Sequence, residues 1–283
     1  MGSWNETRLK LERSTHNGCF LRRRQASESA ARGAVFYIHG LGESGLCFEK
    51  VISDPRLAAW HHVVPDMLGY GKSTWSDEPL DVEAHARHLA HVIEGLELHK
   101  LGPLTVAGHS MGGVIGLYLA RELQNSGLPL AGLFNIEGNI SPSDCTGSAI
   151  AAGHSLDDWL DHGFEEYLAG LHAPVDEGDI SQERAWVLRS YAASATHCDP
   201  RTLHLNSCDL VRESGTETLA SHLADLGLDQ LYVHGFPRGT GPRSLELLKK
   251  AEIPTFSVND AGHWPYLDQH DAFVDCLVDF LNR

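Results

Sequence analysis

The chain has no long hydrophobic run, no C-x-x-C pair, no internal repeat and no low-complexity tract, and it is short of positive charge. Each of these gaps closes off a class of protein. Without a stretch of about 18 apolar residues there is no candidate membrane-spanning helix. Six cysteines (Cys19, Cys47, Cys145, Cys198, Cys208 and Cys276) are scattered without the paired spacing of a zinc or dithiol site, and they read as free thiols. Lys and Arg total 22 against 38 Asp and Glu, a net charge of -16 that repels nucleic-acid phosphates and anionic lipid surfaces. The basic run Arg22-Arg23-Arg24 reads as the solvated edge of an N-terminal hairpin. The first 30 residues are charged throughout, so no signal peptide is expected, and Glu6 breaks the myristoylation pattern that begins at Gly2. A cytoplasmic chain with neither nucleic-acid nor membrane partners is the expectation.

What is present is a rhythm. Arg8 to Glu12 and Phe20 to Gln25 read as an opening antiparallel pair around Asn17-Gly18. Strands and helices then alternate. Strands end at Ile38, Val64, Ala107 and Ile136, and helices run from Cys47 to Ala59, from Val82 to Leu98 and on to Gln124. The strands are continuous apolar runs, as in a parallel sheet covered on both faces. From Gly138 to Asp229 the alternation stops. Leu156–Leu171, Ile180–Ala195, Arg201–Glu213 and Glu217–Leu226 are all helix-like, and strands resume only at Gln230–His234 and Pro254–Val258. The reading is an α/β fold with a mostly parallel eight-stranded sheet and helices on both faces. An all-helical cap, 138–228, is inserted between strands 6 and 7 of a core formed by 1–137 and 229–283. Such an insertion lies over the strands' C-terminal ends, where open α/β sheets bind ligands.

Gly108-His109-Ser110-Met111-Gly112 stands between a β-branched apolar run and a long apolar-periodic stretch, a strand, tight turn and helix start around one serine. Glycines two residues either side allow a sharp turn that lifts the hydroxyl clear of the backbone, and the helix N-terminus behind it suits an oxyanion. Ser110 is therefore the candidate nucleophile. One oxyanion donor is expected from the N–H of Met111. The other is expected from Leu41 in His39-Gly40-Leu41-Gly42-Glu43-Ser44-Gly45, the loop that follows strand 3. His263, in the loop after the last strand, is the expected general base among 18 histidines.

Two other motifs are weaker. Gly40-x-Gly42-x-x-Gly45 matches a dinucleotide fingerprint, but the acid that should close the next strand is absent at its usual distance. Gly71-Lys72-Ser73 resembles the tail of a P-loop, with Asp66 where its first glycine should be. His85, His88 and His91 recur on one helix without an H-E-x-x-H and read as a solvated face, so neither metal nor cofactor is expected.

Four motifs in this order, His39-Gly40, Asp66-Met67-Leu68-Gly69-Tyr70-Gly71-Lys72-Ser73, the serine elbow and Gly262-His263, resemble the α/β-hydrolase fold superfamily at both ends of the chain. The resemblance implies a triad of Ser, acid and His, with the acid usually an Asp after strand 7. Here that loop, Gly235-Phe236-Pro237-Arg238-Gly239-Thr240-Gly241, contains no carboxylate. Other branches of the superfamily carry the acid after strand 6, where this chain has Glu137. Glu137 is the expected acid, with Asp144 in reserve and Asp260 too near His263 in sequence to reach round it.

The implied activity is hydrolysis of a small-molecule carboxylic ester through an acyl-enzyme. The alternatives are a thioester, a lactone or a carbon–carbon bond as substrate, or a receptor that has lost catalysis. Candidate substrate-binding residues are His39, Gly40, His109, Trp264 and Tyr266, with Trp159, Trp186 and the other cap aromatics Phe164, Tyr167 and Tyr191.

Overall fold

The computed structural model describes residues 11–27, 31–176 and 182–283. The chain opens with β1 (Glu12–His16) and β2 (Cys19–Arg24), joined by Asn17 and Gly18 with φ of 47° and 78°. Both turn residues are left-handed, as in the two-residue turn that matches strand twist, and this pairs His16 directly with Cys19. The first strand thus runs straight into the turn, whereas Arg8–Glu12 was expected. Residues 8–10 of that expectation lie outside the described residues.

β3 (Gly33–Ile38) is buried along its length. The expected helix Cys47–Ala59 is broken into a 3-10 turn at Gly45–Phe48, a short α1 (Glu49–Ile52) and a second 3-10 turn at Pro55–Leu57. Proline is the cause. It has no N–H to donate and it forces Asp54 into an extended conformation (φ -69°, ψ 131°). β4 (Trp60–Pro65) follows, then α2 (Val82–Gly95), whose N-terminus is capped by Asp81 accepting from Ala84 N at 2.6 Å. Then come β5 (Leu104–His109), α3 (Met111–Asn125) and β6 (Gly132–Ile136).

Between β6 and β7 the described elements are all helical, beginning with a 3-10 turn at Pro142–Asp144. After it come α4 (Thr146–Ala152), α5 (Leu156–Asp158) leading through a π-turn into α6 (Phe164–Asp176), α7 (Gln182–Ala195), α8 (Pro200–Gly215) and α9 (Leu219–Ala224). The chain closes with β7 (Asp229–Arg238), α10 (Pro242–Lys250), β8 (Thr255–Gly262), α11 (Pro265–Asp268) and α12 (His270–Leu281).

The eight strands form one sheet in the order β1-β2-β4-β3-β5-β6-β7-β8. It is antiparallel at β1/β2 and β2/β4 and parallel elsewhere. Alternate residues of β3 to β7 feed two cores. Phe36, Ile38, Val106 and Leu133 pack under α2, α3 and α10, while Val35, Tyr37, Ala107 and Phe134 pack under α1 and α12. The β4–α2 loop is tied to the inserted helices: Asp199 N–H donates to Gly69 O (2.7 Å) and the Tyr70 hydroxyl to Asn206 Oδ1 (2.7 Å). A Cβ at Gly69, where φ is +80°, would lie 2.5 Å from Thr202 Oγ1, so this contact needs glycine.

The arginine run is not a solvated edge. β2 lies inside the sheet between β1 and β4, and Arg22 and Arg24 are buried. Arg22 pairs with the fully buried Asp66, which also accepts from Gly45 N (2.7 Å) and Lys72 N (2.8 Å). Arg24 donates to the carbonyls of Ile52 and Asp54. Only Arg23, pointing to the opposite face, is half-exposed. The histidine triplet does not gather either, since His85 is buried beside Tyr70 while His91 is exposed. Among the described residues no cluster of three metal-ligating side chains occurs, and no helix is long and apolar enough to cross a membrane.

Candidate active site

Ser110 joins β5 to α3 with φ 53° and ψ -119°, a conformation that L-residues rarely adopt and that costs on the order of 1–3 kcal/mol. The flanking glycines make the turn possible. A Cβ on Gly108 would sit 2.1 Å from Gly112 O, and one on Gly112 would sit 2.2 Å from Ile38 O. The turn is pinned by Ser110 N donating to Ile136 O (2.9 Å) and Gly113 N donating to Ser110 O (2.8 Å). As the first residue of α3, Met111 presents an N–H that lies among the orphan donors of a helix start.

Ser110 and His263 line one cavity of about 190 Å³, together with Gly40, Leu41, His109 and Trp264 from the core and Tyr167 and Tyr191 from the inserted helices. His263 Nδ1 lies 3.4 Å from Glu137 Oε2. Glu137 directly follows β6 in a left-handed conformation (φ 52°), and its carboxylate meets Gly235 in β7 and Thr240 just beyond it. Its Oε1 accepts from Gly235 N (2.6 Å) and Thr240 N (3.2 Å), and its Oε2 accepts from the Thr240 hydroxyl (3.0 Å). The segment Gly235–Gly241, expected as a loop, continues β7 as far as Arg238; it has no carboxylate of its own and supplies the donors to Glu137.

The electrostatics of this couple are reciprocal. Burial works against the charge on Glu137, but the hydrogen bond and attraction of His263, with the donors of Gly235 and Thr240, outweigh it and hold the carboxyl below its ordinary value. Burial likewise works against protonation of His263, and Glu137 outweighs it, so the imidazole titrates above its ordinary value. Asp144, the reserve acid, also lines this cavity, but its Oδ2 is taken up by three donors and none of them is His263. It accepts from Ile140 N (2.8 Å), Ser141 N (3.1 Å) and the Ser244 hydroxyl (2.6 Å).

Five expected substrate-binding residues are placed differently, and one of them, Phe164, packs on the Trp159 ring with centroids 5.6 Å apart. His39 is fully buried. Its Nδ1–H donates to Gly40 O (2.8 Å) and its Nε2 accepts from Met67 N (3.0 Å), so it braces the loop and does not line the cavity. Trp159 is buried among the inserted helices, its indole N–H donating to Pro200 O (2.8 Å). Tyr266 is buried behind Glu43 and His109. Trp186 is 58% exposed and lines a neighbouring cavity of about 290 Å³, with Lys50, Cys47 and Leu46. Gly40, His109 and Trp264 do line the serine cavity, as do Tyr167 and Tyr191, whose hydroxyls are 2.8 Å apart.

Glu43 went unnoticed in the sequence. It lines both cavities although it is buried, and its Oε2 accepts from Gly40 N (2.7 Å). The sequence signal was a lone glutamate between Gly42 and Ser44, which says nothing of partners 66 and 221 residues away.

Residues 35–276 match the model of the alpha/beta hydrolase family, and the chain belongs to that family. The chain is similar to a pimeloyl-[acyl-carrier protein] methyl ester esterase of Photorhabdus laumondii, at 24% identity over 92% of this chain and 95% of that one. It is also similar to a 2-hydroxy-6-oxo-6-(2'-aminophenyl)hexa-2,4-dienoic acid hydrolase of Metapseudomonas resinovorans, at 26% identity over 88% and 84%. Among solved structures, a putative aryl esterase from Burkholderia cenocepacia superposes with a TM-score of 0.70 at 22% identity, covering 96% of this chain and 98% of that one.

Proposed function

We propose that the chain is a serine hydrolase that cleaves a small-molecule carboxylic ester through an acyl-enzyme on Ser110. The observation that carries this reading is the sharing of one cavity by Ser110 and His263, with His263 held by the buried carboxylate of Glu137. The names of the relatives, an ester-cleaving enzyme and a dienoic acid hydrolase, agree with it.

In this mechanism Ser110 Oγ attacks the acyl carbon while its proton passes to His263 Nε2. The N–H groups of Leu41 and Met111 hold the oxyanion. Collapse breaks the bond to the leaving alcohol, which takes the proton from His263. Water then gives a proton to the same nitrogen and attacks the acyl carbon, and the acid departs as Ser110 regains its proton. Glu137 accepts from Nδ1–H throughout, which fixes the tautomer and stabilises the imidazolium. No cofactor enters.

A ligand receptor was the rival on the strength of the missing carboxylate after Gly235. Glu137 accepts from Gly235 N and Thr240 N in that segment, which supports the enzyme reading over the receptor. The test is a panel of esters, thioesters, lactones and diketones offered to the wild type and to Ser110→Ala. Ester turnover by the wild type alone supports the proposal. Ester turnover retained by Ser110→Ala contradicts it, and selective turnover of another class reassigns the substrate.

A further inference from the structure

Three segments far apart in sequence must hold station for this chemistry, and one buried side chain touches a neighbour of the key residue in each. Glu43 accepts from the main-chain N–H of Gly40, which precedes Leu41, at 2.7 Å. It accepts from Nδ1 of His109, which precedes Ser110, at 2.9 Å. It accepts from the indole N–H of Trp264, which follows His263, at 2.6 Å, and from the Tyr266 hydroxyl at 3.3 Å. His109 completes the circuit, since its Nε2 lies 2.7 Å from the main-chain carbonyl oxygen of His263. Resting on the serine-hydrolase reading, we infer that Glu43 is a positioning residue that sets the spacing of the oxyanion loop, the nucleophile and the base from behind the cavity.

The chemistry of the four donors requires a carboxylate. Oε2 receives Gly40 N–H and His109, Oε1 receives Trp264 and Tyr266, and an ionised carboxylate accepts at both oxygens without rotating. A glutamine of the same shape must turn its NH2 toward one of these donor pairs, which leaves buried donors facing a donor. Glu43 is 3% exposed, yet its pKa is held down to about 2: burial opposes the charge, and the attraction and hydrogen bond of His109 with the hydrogen bonds of Gly40 and Trp264 outweigh it. Reaction geometry is sensitive at this scale, and a displacement of about 1 Å costs on the order of 100-fold in rate.

The experiment compares Glu43→Gln with the wild type and with Leu117→Ala, a substitution in the core on the other side of the sheet, among neither the cavity lining nor the partners of Glu43, that serves as a stability control. For each, kcat, KM, the melting temperature and the rate of Ser110 labelling by a small fluorophosphonate are measured. The expected result is a folded Glu43→Gln whose kcat and labelling rate fall about 10- to 100-fold with KM within about threefold, while the control loses melting temperature and keeps its kcat. A kcat within about twofold of the wild type, or a loss that the control reproduces at equal destabilisation, overturns the inference. Where Glu43→Gln does not fold, Trp264→Phe removes one donor alone. A labelling rate reduced about 3- to 10-fold supports the inference, and an unchanged rate overturns it. Wild-type Ser110 that resists the fluorophosphonate indicts the hydrolase reading, a different outcome from either of these.

Discussion

Glu137 Oε1 fills the space that a side chain at position 239 would need: a Cβ built on Gly239 lies 2.1 Å from it. The segment Gly235–Thr240 is therefore shaped to receive the carboxylate that follows β6, with donors from two main-chain N–H groups and the Thr240 hydroxyl and no side chain at 239 in the way. Gly239→Ala is predicted to displace Glu137 from His263 and lower kcat about 100-fold, while Gly241→Ala, where the nearest neighbour is Ser143 Oγ at 3.3 Å, changes kcat little. Steady-state kinetics on both variants check this. A Gly239→Ala enzyme of normal kcat contradicts the placement of the acid.

Glu137→Gln keeps the shape and removes the charge. Turnover is predicted to fall about 10²- to 10⁴-fold. The pH profile adds a sign. His263 must be neutral to accept the serine proton, and Glu137 raises its pKa, so the acid limb of kcat/KM lies above the ordinary imidazole value. Without the carboxylate the imidazolium is less favoured, and the limb of any residual activity moves to lower pH. A limb that stays in place or rises removes Glu137 from that role.

The elbow trades stability for geometry. Ser110 occupies a left-handed conformation that glycine adopts without strain, so Ser110→Gly is predicted to be inactive yet more stable, by about 1 kcal/mol. Chemical denaturation of the two proteins measures it. A Ser110→Gly protein less stable than the wild type refutes the claim of strain.

Acid stability follows from Glu43. Its folded pKa is depressed from 4.5 to about 2, so the stability it confers is complete above the unfolded value and is lost as pH falls from there toward about 2. Glu43→Gln is predicted to lack this part of the acid transition, which is visible as a flatter dependence of unfolding free energy on pH between about 5 and 2. Identical slopes in the two proteins contradict the depression.

Much of this architecture was legible because local chemistry left few choices. The elbow glycines are forced by backbone contacts at 108 and 112, and Glu137 stood out because the usual loop has no carboxylate. The parallel strands announced themselves as continuous apolar runs that feed two cores. What stayed hidden depends on tertiary placement. Three consecutive arginines look alike in sequence, and only the position of β2 inside the sheet sends Arg22 and Arg24 into the interior. Aromatics among the inserted helices share one composition signal, yet Trp159 is core, Trp186 faces a second cavity, and Tyr167 and Tyr191 face Ser110. α4, with its Thr146-Gly147-Ser148 start, has no apolar period to betray it.

The central claim is that Ser110 is a nucleophile activated by His263, and covalent labelling tests it most directly. The wild type, treated with a fluorophosphonate and mapped by peptide mass spectrometry, is predicted to carry one adduct on Ser110, with labelling slowed at least about 1,000-fold in His263→Ala. A folded wild type with no adduct on Ser110, or a His263→Ala protein labelled at the wild-type rate, would contradict the account.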